Sequence, residues 1–134
     1  MKNRNQIAIL LLVTAPLLAA ETAAGTVSDL LAQYRGQGAS AFDANRGREF
    51  WNRANMIDGK ERNCRSCHGN NMKEAGRHQR TKKIIEPMAP SVNSQRYTER
   101  KKVEKWFKRN CKWTLGRECT LQEKGDVLSF ISQQ

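Results

Sequence analysis

The chain has 134 residues, with 24 Lys and Arg against 13 Asp and Glu, a formal net charge of +11. Its length allows one domain, and a mean hydropathy of −0.76 with 38% hydrophobic residues excludes a polytopic membrane protein. With only 7% aromatic residues the supply of core-forming side chains is thin, so a disulfide, a metal or a cofactor is expected to staple the fold.

Lys2 and Arg4 precede an apolar run of about 14 residues from Ile7 to Ala20, interrupted by Thr14 and Pro16. That is too short for a membrane-spanning helix. The basic start, the short apolar run and the small residues Ala19, Ala20, Ala23, Ala24 and Gly25 predict a signal peptide over residues 1–25, cleaved near 20–25. The mature domain is then 26–134, exported to the periplasm. Removing Lys2, Arg4 and Glu21 lowers the charge by one to +10. Export also places the four cysteines where disulfides persist.

Val27, Leu30, Leu31 and Tyr34 recur at helical spacing, with Thr26 or Ser28 as cap and Gly36 as stop. A second helix is predicted from Asp43 through Ala54. Gly47 inside it costs helix propensity, and a close helix crossing would justify that cost.

Cys64-Arg65-Ser66-Cys67-His68 follows. In C-x-x-C-H the two thiols can add to the two vinyl groups of a haem, and the adjacent His lies under the iron. A thioredoxin-like dithiol would want a βαβ context, which is absent. A zinc site would need further ligands, and Cys111, Cys119 and one spare His make a poor set. The motif therefore predicts one covalently bound haem c, held by Cys64 and Cys67 with His68 as axial ligand. The macrocycle also supplies the missing core.

Residues 77–95 show no period, contain Pro87 and Pro90, and read as loop. Thr98 opens a third helix, with Val103, Trp106, Phe107 and Asn110 on one face. Cys111 ends it and, with Cys64 and Cys67 used by haem, pairs naturally with Cys119. Closing that loop is worth roughly 2–3 kcal/mol on the chain-entropy account. The last helix begins at Thr120, where Glu123 completes a capping box; Val127, Leu128 and Ile131 form its apolar stripe. Gly125 sits in it as Gly47 sits in the second, which predicts that the two helices cross closely. No strand pattern is evident, and the expected fold is all-α, a class I cytochrome c-like fold wrapped around one haem.

The sixth iron position has five candidates: Met56, Met72, His78, Met88 and Asn110. Met72 is only four residues past His68, too near to reach the other haem face. Met88, in the stiff Pro87-Met88-Ala89-Pro90 loop, leads on spacing alone. Asn110 reads most simply as a helix C-cap, although a buried, unpaired amide would cost about 1–3 kcal/mol.

Several segments resemble the sphaeroides haem protein family, variants of class I cytochrome c. They are Gly47-Arg48-Glu49-Phe50, Cys64 to Gly69, Met88-Ala89-Pro90-Ser91, Val103 to Cys111, Gly116-Arg117-Glu118-Cys119 and Glu123 to Phe130. Arg-Asn-Cys followed by Gly-Arg-x-Cys is the most specific part. The resemblance implies Asn110 as sixth ligand and a Cys111–Cys119 disulfide, with Met88 left as the alternative that spacing offers. It further implies that the Asn110 amide leaves the iron on reduction, opening a site for O₂, NO or CO, and that a dihaem cytochrome c is the redox partner.

The expected function is an exported monohaem cytochrome that accepts electrons and binds O₂ or NO; the rival is an ordinary electron carrier with a His–Met haem. No dedicated acid–base group stands out beside a distal site, unless Arg109, His78 or a propionate serves, so an O₂- or NO-reducing enzyme ranks behind both. The cations of the third helix, among them Arg100, Lys101, Lys102, Lys105, Lys108 and Arg109, suit transient docking to an acidic partner. Nucleic acid is not expected as a partner, since no reader motif is present. The mature protein is expected to be a soluble monomer.

Overall fold

The computed structural model describes residues 22–134, so most of the expected leader lies outside the described residues. Helix α1 (Ala23–Gly36) starts a turn earlier than Thr26 or Ser28 would set it. Its cap is Thr22, whose hydroxyl accepts from Gly25 N at 3.1 Å. Thr26 is instead buried and donates through Oγ1 to the Thr98 carbonyl. Helix α2 (Ala44–Asn52) is capped by Asp43, which accepts from Arg46 N at 2.8 Å.

Two ribbons follow where no strand was expected. β1 (Asn55–Ile57) and β2 (Lys60–Arg62) pair antiparallel through a turn at Asp58 and Gly59, both at positive φ. β3 (Gly76–Arg77) and β4 (Ile84–Ile85) pair likewise. Strands of two and three residues are too short to display a two-residue period. Asp-Gly was the available hairpin signal. The short helix α3 (Arg65–His68) lies between the ribbons.

Helix α4 (Arg100–Leu115) runs past Cys111 and ends at Gly116, in the left-handed conformation at φ 69°. Asn110 is thus inside the helix and is not its C-cap; a glycine meets the positive φ of that position without a Cβ penalty. Helix α5 (Leu121–Ile131) opens with the complete Thr120–Glu123 capping box, at 3.1 and 2.9 Å.

Helices α2 and α5 cross at Gly47, where a Cβ would lie 2.0 Å from the Asp126 carbonyl oxygen. Gly125 makes room for the ring of Phe42, which lies just ahead of α2. The buried Asp126 carboxylate accepts from Asp43 N, Arg46 Nε and Nη2 and Gln122 Nε2, at 2.7–3.1 Å. A buried charge is tolerable only when so satisfied. Around α5 the core divides in two. Leu128 packs with Val27, Leu30, Tyr34 and Val103. Val127 and Ile131 pack with Trp51, Met72 and Ala89, and this second cluster reaches Cys64 and Met88. Among the described residues no helix is long and apolar enough to cross a membrane.

Candidate haem site

The attachment turn is organised by Asn63, a buried residue that the motif itself does not include. Its Oδ1 accepts from both Ser66 N and Ser66 Oγ at 2.7 Å. The Cys64 carbonyl then accepts from the amides of Cys67 and His68, each at 3.2 Å. Sequence reasoning missed it, although Asn ahead of a helical turn is a cap signal that could have found it. One turn thus carries both thiols and the imidazole, and it ends at Gly69, at φ 77°. Behind it, β3 is pressed so closely that a Cβ on Gly76 would lie 2.2 Å from the Cys67 carbonyl oxygen and 2.8 Å from His68 Cα.

Cys64 and Cys67 are both free, Cys67 buried and Cys64 half-buried. Burial pushes the Cys64 thiol up to about 12, and its neighbour Cys67 adds to this. Such a thiol is a poor thiolate, which argues against an exchange-active dithiol. His68 packs on Trp51 with ring centroids 5.2 Å apart. Burial holds its imidazole down to about 4, with Arg96 and His78 contributing, so the ring is neutral at neutral pH and keeps a lone pair for a metal. Its Nδ1 is buried without a hydrogen-bond partner among the described residues. A cleft of about 330 Å³ opens beside Cys67, lined also by Arg65, Arg77 and Ile84. No group of three or more His, Cys, Asp or Glu able to hold a metal occurs among the described residues. Two free thiols and a neutral imidazole on one turn fit a covalent haem.

Of the sixth-position candidates, Met56 is 67% exposed on the outer ribbon. His78 Nδ1 accepts from the amides of Arg80 and Thr81, and its ring faces Trp113 at 6.0 Å. Met72 is buried, and its carbonyl accepts from the amides of both Met88 and Ala89 at 2.9 Å. Met88 is half-buried, with the Tyr97 hydroxyl 3.1 Å from its carbonyl and 3.9 Å from its sulfur. Asn110 stands apart from this cluster. It is exposed on α4, one turn after Trp106, itself 44% exposed, and its side chain makes no hydrogen bond among the described residues. The adjoining Cys111 is joined to Cys119, with Cα atoms 5.6 Å apart.

Comparisons with known proteins bear on the family and the cofactor. A family model described as a domain of unknown function, DUF1924, matches residues 37–131. The cytochrome c-type protein SHP of Cereibacter sphaeroides is 38% identical over 127 residues, covering 92% of this chain and 97% of that protein. The structure of oxidised SHP, an oxygen-binding cytochrome c, superposes with a TM-score of 0.75 at 37% identity, covering 81% of this chain and 96% of the other. Oxidised cytochrome c″ of Methylophilus methylotrophus gives 0.74 at 33% identity, covering 81% and 94%. A solution structure of cytochrome c″, bearing on the structural basis of haem-ligand detachment, gives 0.71. The chain belongs to the sphaeroides haem protein family of class I cytochromes c, and it is a monohaem cytochrome with one covalently bound haem c.

Proposed function

We propose that this cytochrome is exported to the periplasm, where it accepts electrons and takes up O₂ or NO, and that its sixth ligand is the labile amide of Asn110. In this reading Cys64 and Cys67 form the thioethers and His68 is the permanent axial ligand. The haem supplies an iron that changes charge by one electron and offers an axial position to a diatomic gas.

The observation that carries the choice of Asn110 is the backbone pairing of Met88 with Met72. Met72 is too close to His68 in sequence to leave its side. Met88 is bound to that same residue and shares a cluster with Trp51, the ring against His68. Asn110 belongs to a different element, α4, and its amide is free of other duties, because Gly116 takes the C-cap. An amide oxygen is a hard, neutral donor that suits ferric iron better than ferrous iron, whereas a thioether holds ferrous iron. Two relatives add support: SHP is an oxygen-binding cytochrome c, and cytochrome c″ is discussed for haem-ligand detachment.

The partner in this reading is an acidic redox protein, a dihaem cytochrome c. Lys101, Lys105, Lys108 and Arg109 on α4 form no ion pair among the described residues and are available to steer it. Optical spectra of the Asn110→Ala and Met88→Ala proteins in both redox states test the assignment. Asn110→Ala should become high-spin when ferric, and Met88→Ala should match the wild type. The reverse pattern would restore a His–Met electron carrier.

A further inference from the structure

One side chain links the segment that carries the attachment motif to the helix that carries Asn110. Arg62 ends β2, two residues before Cys64, and its side chain is only 12% exposed. Its guanidinium lies 3.8 Å from the centroid of the Trp113 ring, and Nη1 donates to the Trp113 carbonyl at 2.8 Å. This is the one hydrogen bond between residues 55–69 and α4 among the described residues. Trp113 follows Asn110 by three residues and so shares its side of the helix. Arg80 at 5.6 Å and His78 at 6.0 Å close around the same ring.

We infer that Arg62 and Trp113 form a strut that holds the Asn110 turn of α4 at a set position relative to the attachment turn. Arg62 is then a positioning residue for the sixth ligand. The inference rests on Asn110 being that ligand. The physical basis is the rigidity of the pair. A planar guanidinium stacked on an indole and bonded to its carbonyl is constrained in both distance and orientation, which a point-charge ammonium cannot reproduce. The Cys111–Cys119 disulfide anchors the same turn toward α5 but leaves its relation to the attachment turn free. Arg62 supplies the second constraint. Its carboxylate neighbour Asp58, at 3.6 Å and 84% exposed, offers no competing anchor of similar strength.

The test uses haem-loaded protein as wild type, Arg62→Met, Arg62→Lys and Asn110→Ala, read by amide hydrogen exchange over residues 110–115 and by the ferric absorption spectrum. Arg62→Met keeps an unbranched apolar stem and removes the guanidinium, and with it the stack and the bond. It should speed exchange in this turn about tenfold and raise the high-spin ferric fraction, with Arg62→Lys intermediate. Exchange unchanged in Arg62→Met overturns the strut, whichever residue is the ligand. Faster exchange with a wild-type ferric spectrum also overturns the positioning role, provided Asn110→Ala does alter that spectrum. A ferric spectrum unaltered by Asn110→Ala instead removes the ligand assignment, and with it Arg62's role toward the iron.

Discussion

The amide of Met88 donates to the carbonyl of Met72 at 2.9 Å, and that of Ala89 joins it at the same distance. The loop that offers the most plausible thioether is thereby fastened to the residue four positions beyond His68. Met88 then packs against the cluster of Trp51, Met72 and Ala89. Met88→Leu, a swap of similar volume, should cost less than about 1.5 kcal/mol and leave the ferric and ferrous spectra as in the wild type. Loss of a low-spin band in this variant would make Met88 the ligand.

Gly47 has no room for a methyl group, since a Cβ there would meet the α5 backbone at Asp126. Backbone cannot swing aside as a side chain does. Gly47→Ala should therefore lower stability by about 3 kcal/mol or more, measured by denaturant unfolding of the holoprotein. A loss below about 1 kcal/mol, or a gain reflecting the better helix propensity of alanine, would show that the crossing can separate freely.

The Cys111–Cys119 bridge closes a short loop between α4 and α5. Replacing both cysteines by serine should cost roughly 2–3 kcal/mol on the chain-entropy account. The haem stays attached through Cys64 and Cys67, so mass spectrometry should still find it covalently bound. Haem lost from the double variant would show that attachment uses the other pair.

The Glu123 carboxylate accepts from Arg117 at 2.6 and 2.8 Å and from Thr120 N at 2.9 Å. The Arg117 hydrogen bond, acting against partial burial, holds its pKa below the ordinary carboxylate value. A carboxyl depressed in the folded state stabilises above its unfolded pKa of about 4.3 and loses that contribution as pH falls through the folded value. Glu123→Gln should lower stability by about 1 kcal/mol at pH 7, since Arg117 is half exposed and the pair is screened. The gap should close as pH falls below the ordinary carboxylate range and through the depressed folded value. A gap of constant size from pH 7 into that acid range would contradict this.

Local chemistry was legible in the sequence where one short segment contains the whole instruction. Cys64 to His68, the Thr120–Glu123 box and the pairing of Cys111 with Cys119 are of this kind, and the structure places the last two as read. Gly47 announced a close crossing because a glycine inside a helix has few other uses. The extent of α4 was misjudged because Asn110 and Cys111 look like a helix end, while the stop signal, Gly116, lies further on. Thr22, the cap of α1, lies inside the stretch that reads as leader, which hides its capping signal. The Met72–Met88 and Arg62–Trp113 contacts join residues 16 and 51 positions apart, and no local pattern encodes them. Asn63 was the one site residue within reach of a cap rule, yet the motif beside it drew attention to its cysteines.

The most direct test of a labile Asn110 is the optical spectrum of the dithionite-reduced wild-type protein with and without CO. A high-spin ferrous spectrum that changes at once on adding CO is the result expected here, with Asn110→Ala showing the same ferrous behaviour. A sharp low-spin α-band that CO leaves unchanged would mean that a ligand stays on ferrous iron, and the account would fail.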